Sequence, residues 1–448
     1  MSSSSILLRN LLLETKDGEW GKAEPFDGSV EMAVIRGTDF DTAKKSGLEG
    51  VPVRHIAGKA AGRKTLQPLD ILIETAGGSK GKPTGKTTFL RPALFERSVL
   101  PITCASFARF LRIDTTLADP EFVYWCLQSL YLSGVIETYQ VQHTGIARFQ
   151  FTKFADSLEI NLPPIGDQIK VSAFLGSIEN RISLLRETNT TLEAIAQALF
   201  KSWFVDFDPV RAKAEGLEPE GMDAATAALF PDSFEESGQG LVPKGWIALP
   251  FTETINVIGG GTPKTSIADY WGGDIPWFSV VDAPRITDVF VINTEKTITN
   301  AGLNNSSTKL LPVGTTIISA RGTVGRLAMV GQEMAMNQSC YGLCGKAGDA
   351  YFTYFNTFRL VESLRQRAHG SVFDTITRDT LAGVSIIYPG EQIICEFEST
   401  LTPVMERIKE NLQQAQTLTQ LRDALLPRLI SGQLRLPEAE VQIEAVCA

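Results

Sequence analysis

Apolar side chains fall every seven residues at Val171, Ile178, Leu185, Leu192 and Leu199, with Phe174, Ile182 and Ile195 in flanking positions. That period is the seam of an amphipathic helix made to pack against another helix. The pattern returns at Phe397, Val404, Leu418 and Leu425, with Leu401, Ile408, Ala415 and Leu421 between them. Asn411 interrupts this second series, where the corresponding position of the first is Leu185. Pro209 and Pro427 are expected to stop or kink the two helices, because proline lacks the amide donor and clashes with the preceding turn. A helix of about 36 residues is about 54 Å long at 1.5 Å per residue, and its seam has to be buried.

The helices belong to a larger duplication, in which the second half of the chain echoes the first at an offset of about 224 to 226 residues. Leu66-Gln67-Pro68-Leu69-Asp70-Ile71-Leu72-Ile73 leads into the glycine-rich Ala76-Gly77-Gly78-Ser79, and Leu311 to Ile318 leads into Arg321-Gly322-Thr323-Val324-Gly325-Arg326. Each reads as a buried strand followed by a turn. Each helix could lie on its own globular half; alternatively the two pair antiparallel and hold the halves apart. The duplication favours the second arrangement, and a polar Asn411 in the seam fits selection of one register. The fold expected is α+β: two α/β globular domains at 1–165 and 246–390, separated by two long helices at 166–208 and 391–432 packed as an antiparallel coiled coil, in a pseudo-twofold tandem repeat. An acidic linker is expected at 209–245 and a tail at 433–448.

The 448 residues, 43% apolar and 21% charged, suffice for more than one core and exclude a disordered or fibrous chain. The six cysteines and three histidines show no paired ligand spacing, so no metal site is expected. His143 and His369 occupy corresponding places, where a turn or packing role is expected. Arg9 and Asn10 split the apolar N-terminal residues and no long apolar run follows, which gives the expectation of a reduced, cytoplasmic protein with no membrane segment.

Charge changes the picture once it is divided by region. The net charge is -9, yet residues 1–165 and 259–390 each sum to +1, while 166–258 sum to -7 and 391–448 to -4. Any surface for polyphosphate therefore belongs on the globular halves. In the first half the basic run Lys80, Lys82, Lys86 and Arg91 is the candidate. In the second the candidates are Lys264, which follows Gly259-Gly260-Gly261-Thr262-Pro263, then Arg321, Thr323 and Arg326 around the glycine turn, with Asn337 and Gln338. Arginine can read guanine, and asparagine or glutamine adenine, in the major groove. Gly81 to Thr87 resembles a phosphate loop, but Lys80 stands where a glycine is needed. Asn161-Leu162-Pro163-Pro164 is similar to the base-holding motif of amino-methyltransferases, with Leu162 breaking its spacing and no glycine-rich cofactor loop beside it. Trp203, Phe204 and Phe207 close the first helix, either as packing beneath its end or as a partner surface.

Three tracts carry a family resemblance: Ala196 to Val210, Gly260-Gly261-Thr262-Pro263 with Tyr270-Trp271 to Trp277, and Leu421 to Gly432. Together they resemble the DNA-specificity subunit of type I restriction-modification systems, across almost the whole chain. The first globular half lacks the Tyr-Trp-Gly tract and matches less clearly. The resemblance implies a subunit without an active site, with two target-recognition domains that each read half of a split site on double-stranded DNA and helices that set the spacing. It also implies docking of two methyltransferase subunits that bring S-adenosylmethionine, and two motor-nuclease subunits that use ATP and Mg. The alternative is a helical scaffold whose globular halves hold protein partners rather than DNA.

Overall fold

The computed structural model describes residues 4–77, 83–143, 146–238, 240–284, 288–367 and 375–447. The chain divides into two compact units, one formed by residues 1–183 with 416–448 and the other by 184–415. The heptad pattern forms the helices it predicts, Ile165–Lys201 and Glu391–Ile430. Each unit takes in part of both, so the helices are not a body of their own. Pro427 lies within the second helix rather than ending it.

In the first unit a four-stranded antiparallel sheet has the order Leu12–Asp17, Ala108–Ile113, Ile71–Glu74, Thr87–Phe89. A second sheet pairs Ser29–Ile35 parallel to Ile102–Cys104 and antiparallel to Val53–Ala57. A two-stranded ladder joins Ser4–Leu7 to Glu159–Leu162 just before the first long helix. The helix Pro120–Leu132 packs Phe122, Val123 and Trp125 into a core that also holds Val171 and Leu175 of the first long helix and Leu425, Leu426 and Leu429 of the second. The expected tail contributes to that core, because Leu436–Cys447 is a helix and Leu434 and Ala439 are buried.

The second unit repeats this order of elements. Its main sheet runs Ile255–Gly259, Cys340–Gly345, Thr316–Ser319, Leu327–Val330, with Phe290–Val291 at the far edge. Trp271–Phe278 pairs parallel to Ala335–Met336 and antiparallel to Thr297–Ile298, as in the second sheet of the first unit. The ladder Ile247–Pro250 with Ser385–Tyr388 again precedes a long helix. The duplication read from the sequence is thus a duplication of strand topology.

The segment expected as a loose linker is ordered. Asp208–Ala214 and Ala224–Leu229 are helices, and Phe234–Ser237 pairs with Gly240–Pro243. Val210 and Phe230 are fully buried in the core of the second unit. Phe230 meets Trp203 edge to face, with ring centroids 5.1 Å apart. Many acidic residues on the outside concealed a few apolar anchors on the inside.

Within each unit the two long helices run antiparallel. In the second, Asn189 meets Asn411 and Phe200 meets Phe397; in the first, Glu179 meets Arg422. The heptad reading misplaces one residue: Ile195 is 51% exposed, while Ala196 and Phe200 are buried. An undistorted helix drifts by about 20° per heptad, which by the end of the first helix has turned the core-facing stripe on to Ala196, Phe200 and Trp203.

Candidate nucleic-acid interface

The residues nominated in the second lobe meet at one rim of its main sheet, where Ile255–Gly259 and Thr316–Ser319 end and Cys340–Gly345 begins. The backbone brings them together. The Gly261 amide donates to the Met336 carbonyl at 2.9 Å, which draws the Gly-Gly-Thr-Pro turn against the segment carrying Asn337 and Gln338. A Cβ at Gly260 would sit 1.9 Å from the Asn337 carbonyl oxygen, so only glycine allows this approach. The Thr262 hydroxyl then bonds the Gln338 side chain. On the other flank the amides of Ala320 and Arg321 both donate to the Ser339 carbonyl, at 2.7 and 3.2 Å.

Two glycines in the left-handed region, Gly322 at φ 78° and Gly325 at φ 77°, turn the chain after Arg321. The Ser319 hydroxyl pins this turn by donating to the Thr323 carbonyl at 2.6 Å and accepting from the Arg326 amide at 2.7 Å. Lys264, Arg321, Thr323 and Gln338 are exposed and Asn337 is half-buried, its Oδ1 accepting from the Ser339 amide at 3.0 Å. The side chain of Arg326 instead lines a narrow cleft with Glu362 and Arg365. Five nominated side chains therefore stand on one polar rim that carries two cations: Lys264, Arg321, Thr323, Asn337 and Gln338.

The first lobe departs further from expectation. Lys80 and Lys82 lie outside the described residues. Lys86 is paired with Asp41 at 2.9 Å. Arg91 is engaged by Glu121 at 2.8 Å, beside Gly176 of the first long helix, so its charge is used inside the lobe and we remove it from the DNA-facing set. Trp203 and Phe204 are each 4% exposed and pack against Phe230, Phe352 and Phe397. They are core residues of the second lobe, which corrects the reading of a partner surface; Phe207, at the rim of that core, meets Trp246 edge to face with centroids 5.6 Å apart.

Sequence reasoning missed a concavity of about 720 Å³ in the first lobe, whose lining includes Phe107, Arg109, Arg148 and Lys153. Arg109 is among the lining residues, held by Asp17 at 2.7 Å and lying over the Phe151 ring at 4.7 Å. Among the described residues no group of histidine, cysteine and carboxylate side chains is placed to hold a metal ion, and no helix is long and apolar enough to cross a membrane.

Residues 243–416, which include the whole second-lobe rim, match the type I restriction modification DNA specificity domain. The second lobe resembles a type I specificity domain. The likeness extends beyond it. The chain is 28% identical over 364 residues to the HindI type I restriction enzyme specificity subunit of Haemophilus influenzae, covering 72% of this chain and 79% of that one. It is 29% identical over 191 residues to the MjaIX specificity subunit of Methanocaldococcus jannaschii, covering 42% and 44%. The crystal structure of a type I restriction-modification S subunit from M. genitalium shares the fold, with a TM-score of 0.53 at 14% identity and 96% of each chain covered. The resemblance seen in the sequence to type I specificity subunits therefore holds, and the specificity domain carries the rim described above.

Proposed function

We propose that this chain is the DNA-reading subunit of a type I restriction-modification system, with each lobe reading one half of a bipartite site. The observation that carries the reading is the second-lobe rim: Lys264, Arg321, Asn337 and Gln338 come from three separate stretches of chain and converge inside the matched specificity domain. Arg321 has the donors for guanine O6 and N7, Asn337 and Gln338 have the amides for adenine, and Lys264 supplies charge for phosphate. The scaffold alternative gives no reason for that set of side chains, and the matched family is one of DNA specificity.

The long helices act as the spacer. They are continuous over 37 and 40 residues, and a rod of that length exceeds the 34–36 Å that separates half-sites one DNA turn apart. The chain itself performs no chemistry; methylation and cleavage fall to two methyltransferase subunits with S-adenosylmethionine and two motor-nuclease subunits with ATP and Mg. The outer faces of the helices are the docking surfaces for the methyltransferases, and the assembly works in the cytoplasm.

The test is enrichment of the full-length chain on a random duplex library, followed by binding across a salt series. A split consensus is expected, with affinity falling steeply with salt as phosphate counterions are released. Salt-insensitive binding without a consensus would return the chain to the scaffold class.

A further inference from the structure

The two lobes carry an arginine on the same face of the same strand bridge, but on opposite strands of it. In the second lobe Arg321 lies directly across from Thr375 in an isolated antiparallel bridge. In the first lobe Ala76 lies directly across from Arg148. The surrounding hydrogen bonds establish that these are equivalent places. The amides of Thr75 and Ala76 donate to the Phe107 carbonyl at 2.8 and 3.4 Å, as those of Ala320 and Arg321 donate to the Ser339 carbonyl. The Phe149 amide donates to Thr75 O at 2.9 Å, as the Ile376 amide donates to Ala320 O, also at 2.9 Å. Ala76 thus corresponds to Arg321, and Arg148 to Thr375.

Residues directly opposite one another in an antiparallel pair project from the same face. Moving the arginine from one strand to the other therefore keeps the guanidinium over the same rim. Arg148 and Arg321 are both exposed, and neither forms an ion pair among the described residues. Arg148 looks on to the concavity that also presents Phe107, 62% exposed, and Lys153. An arginine with no ion-pair partner among the described residues, lining the same concavity as an exposed ring, fits the edge of a guanine next to a thymine methyl, with Lys153 on the phosphate.

Resting on the DNA-reading function above, we propose that Arg148 is the specificity-determining base contact of the first lobe and the counterpart of Arg321. The lysine-rich run is not needed for this role. Lys153 anchors the backbone and carries no sequence information.

The decisive experiment enriches the full-length wild type and its variants Arg148→Ala, Arg148→Lys, Arg321→Ala and Lys153→Ala on the same random duplex library. Arg148→Ala is expected to relax one position of one half-site, lowering its preference roughly 5- to 150-fold, while the other half-site stays intact. Arg321→Ala is expected to relax one position in the opposite half-site. Arg148→Lys keeps the charge but not the two-pronged donor, so it relaxes the same position; Lys153→Ala weakens all sequences alike. If the wild type enriches a split consensus and Arg148→Ala leaves both halves unchanged, or lowers affinity without altering the consensus, the assignment of Arg148 fails and the DNA-reading function stands. If the wild type enriches nothing, that function itself fails.

Discussion

Asn189 and Asn411 bond to each other inside the seam of the two long helices: Nδ2 of Asn411 donates to Oδ1 of Asn189 at 2.9 Å. Nδ2 of Asn189 in turn donates to the Ile408 carbonyl at 2.9 Å, and both side chains are 3% exposed. The polar break at Asn411 is therefore answered by Asn189 and not by Leu185, its counterpart in the repeat. An amide pair of this kind is satisfied in one alignment of the helices and orphaned in any other.

Asn411→Leu removes the donor and leaves a buried carbonyl oxygen without a partner. It is expected to cost about 1–3 kcal/mol in chemical denaturation. The double variant Asn189→Leu with Asn411→Leu restores an apolar seam and is expected to regain most of that loss. A single variant more stable than the wild type would show that the pair does not stabilise the seam.

Glu179 of the first long helix carries the second polar device. Lys44 approaches it at 2.8 Å and Arg422 of the second long helix bonds it as well, while Arg422 also holds Asp423 at 2.7 Å. Burial alone raises the Glu179 carboxyl, but Lys44 and Arg422 outweigh that and hold it below its ordinary value of 4.5. Glu179→Gln leaves two cations in a site where the side chains of Lys44 and Arg422 are only 23% and 15% exposed, and is expected to cost about 3–5 kcal/mol. A carboxyl depressed by folding contributes stability that is fully present above pH 4.5 and is lost as pH falls through the folded value. The difference in Tm between wild type and variant should therefore be level near neutrality and shrink in acid. A difference that does not change with pH would remove the charge from the explanation.

Glu193 has the opposite sign. Burial first, and the Asp288 carboxylate second, push its carboxyl up to about 7, with Gln197 donating a hydrogen bond at 3.2 Å. Between 4.5 and about 7 the folded chain keeps a proton that the unfolded chain has released, so stability falls as pH rises through that window. Glu193→Gln should therefore stabilise at pH 8, on the order of 2 kcal/mol, and give no gain near pH 4.5. Equal melting shifts at both pH values would contradict this account.

The long helices, the duplication and the second-lobe rim were legible because each is written locally, in a sevenfold period, in strand-then-glycine tracts and in a short run of polar residues. The ordered segment around Phe230 was not, because two or three anchors in an acidic stretch give no period to read. Trp203 illustrates the same limit: an aromatic cluster at a helix end reads equally as core or as contact surface until the partners Phe230 and Phe397 are known. Arg148 was invisible for a different reason. Its meaning lies in a bridge to Ala76, far away in the chain, and it replaces Arg321 only once the two sheets are laid side by side.

The spacer role makes a prediction about length that leaves chemistry untouched. One heptad added to each long helix, after Leu185 in the first and after Ala415 in the second, extends both by about 10 Å while turning each seam by only about 20°. The insertions face each other in the antiparallel alignment and preserve the Asn189–Asn411 and Glu179–Arg422 contacts. Duplex enrichment is expected to return the same two half-sites with a longer gap between them. A heptad added to one helix alone slides the seam out of alignment, orphans Asn189 or Glu179, and is expected to unfold at lower denaturant. Altered half-sites in the double insertion would mean that the helices shape the reading surfaces, and the spacer role would have to be given up.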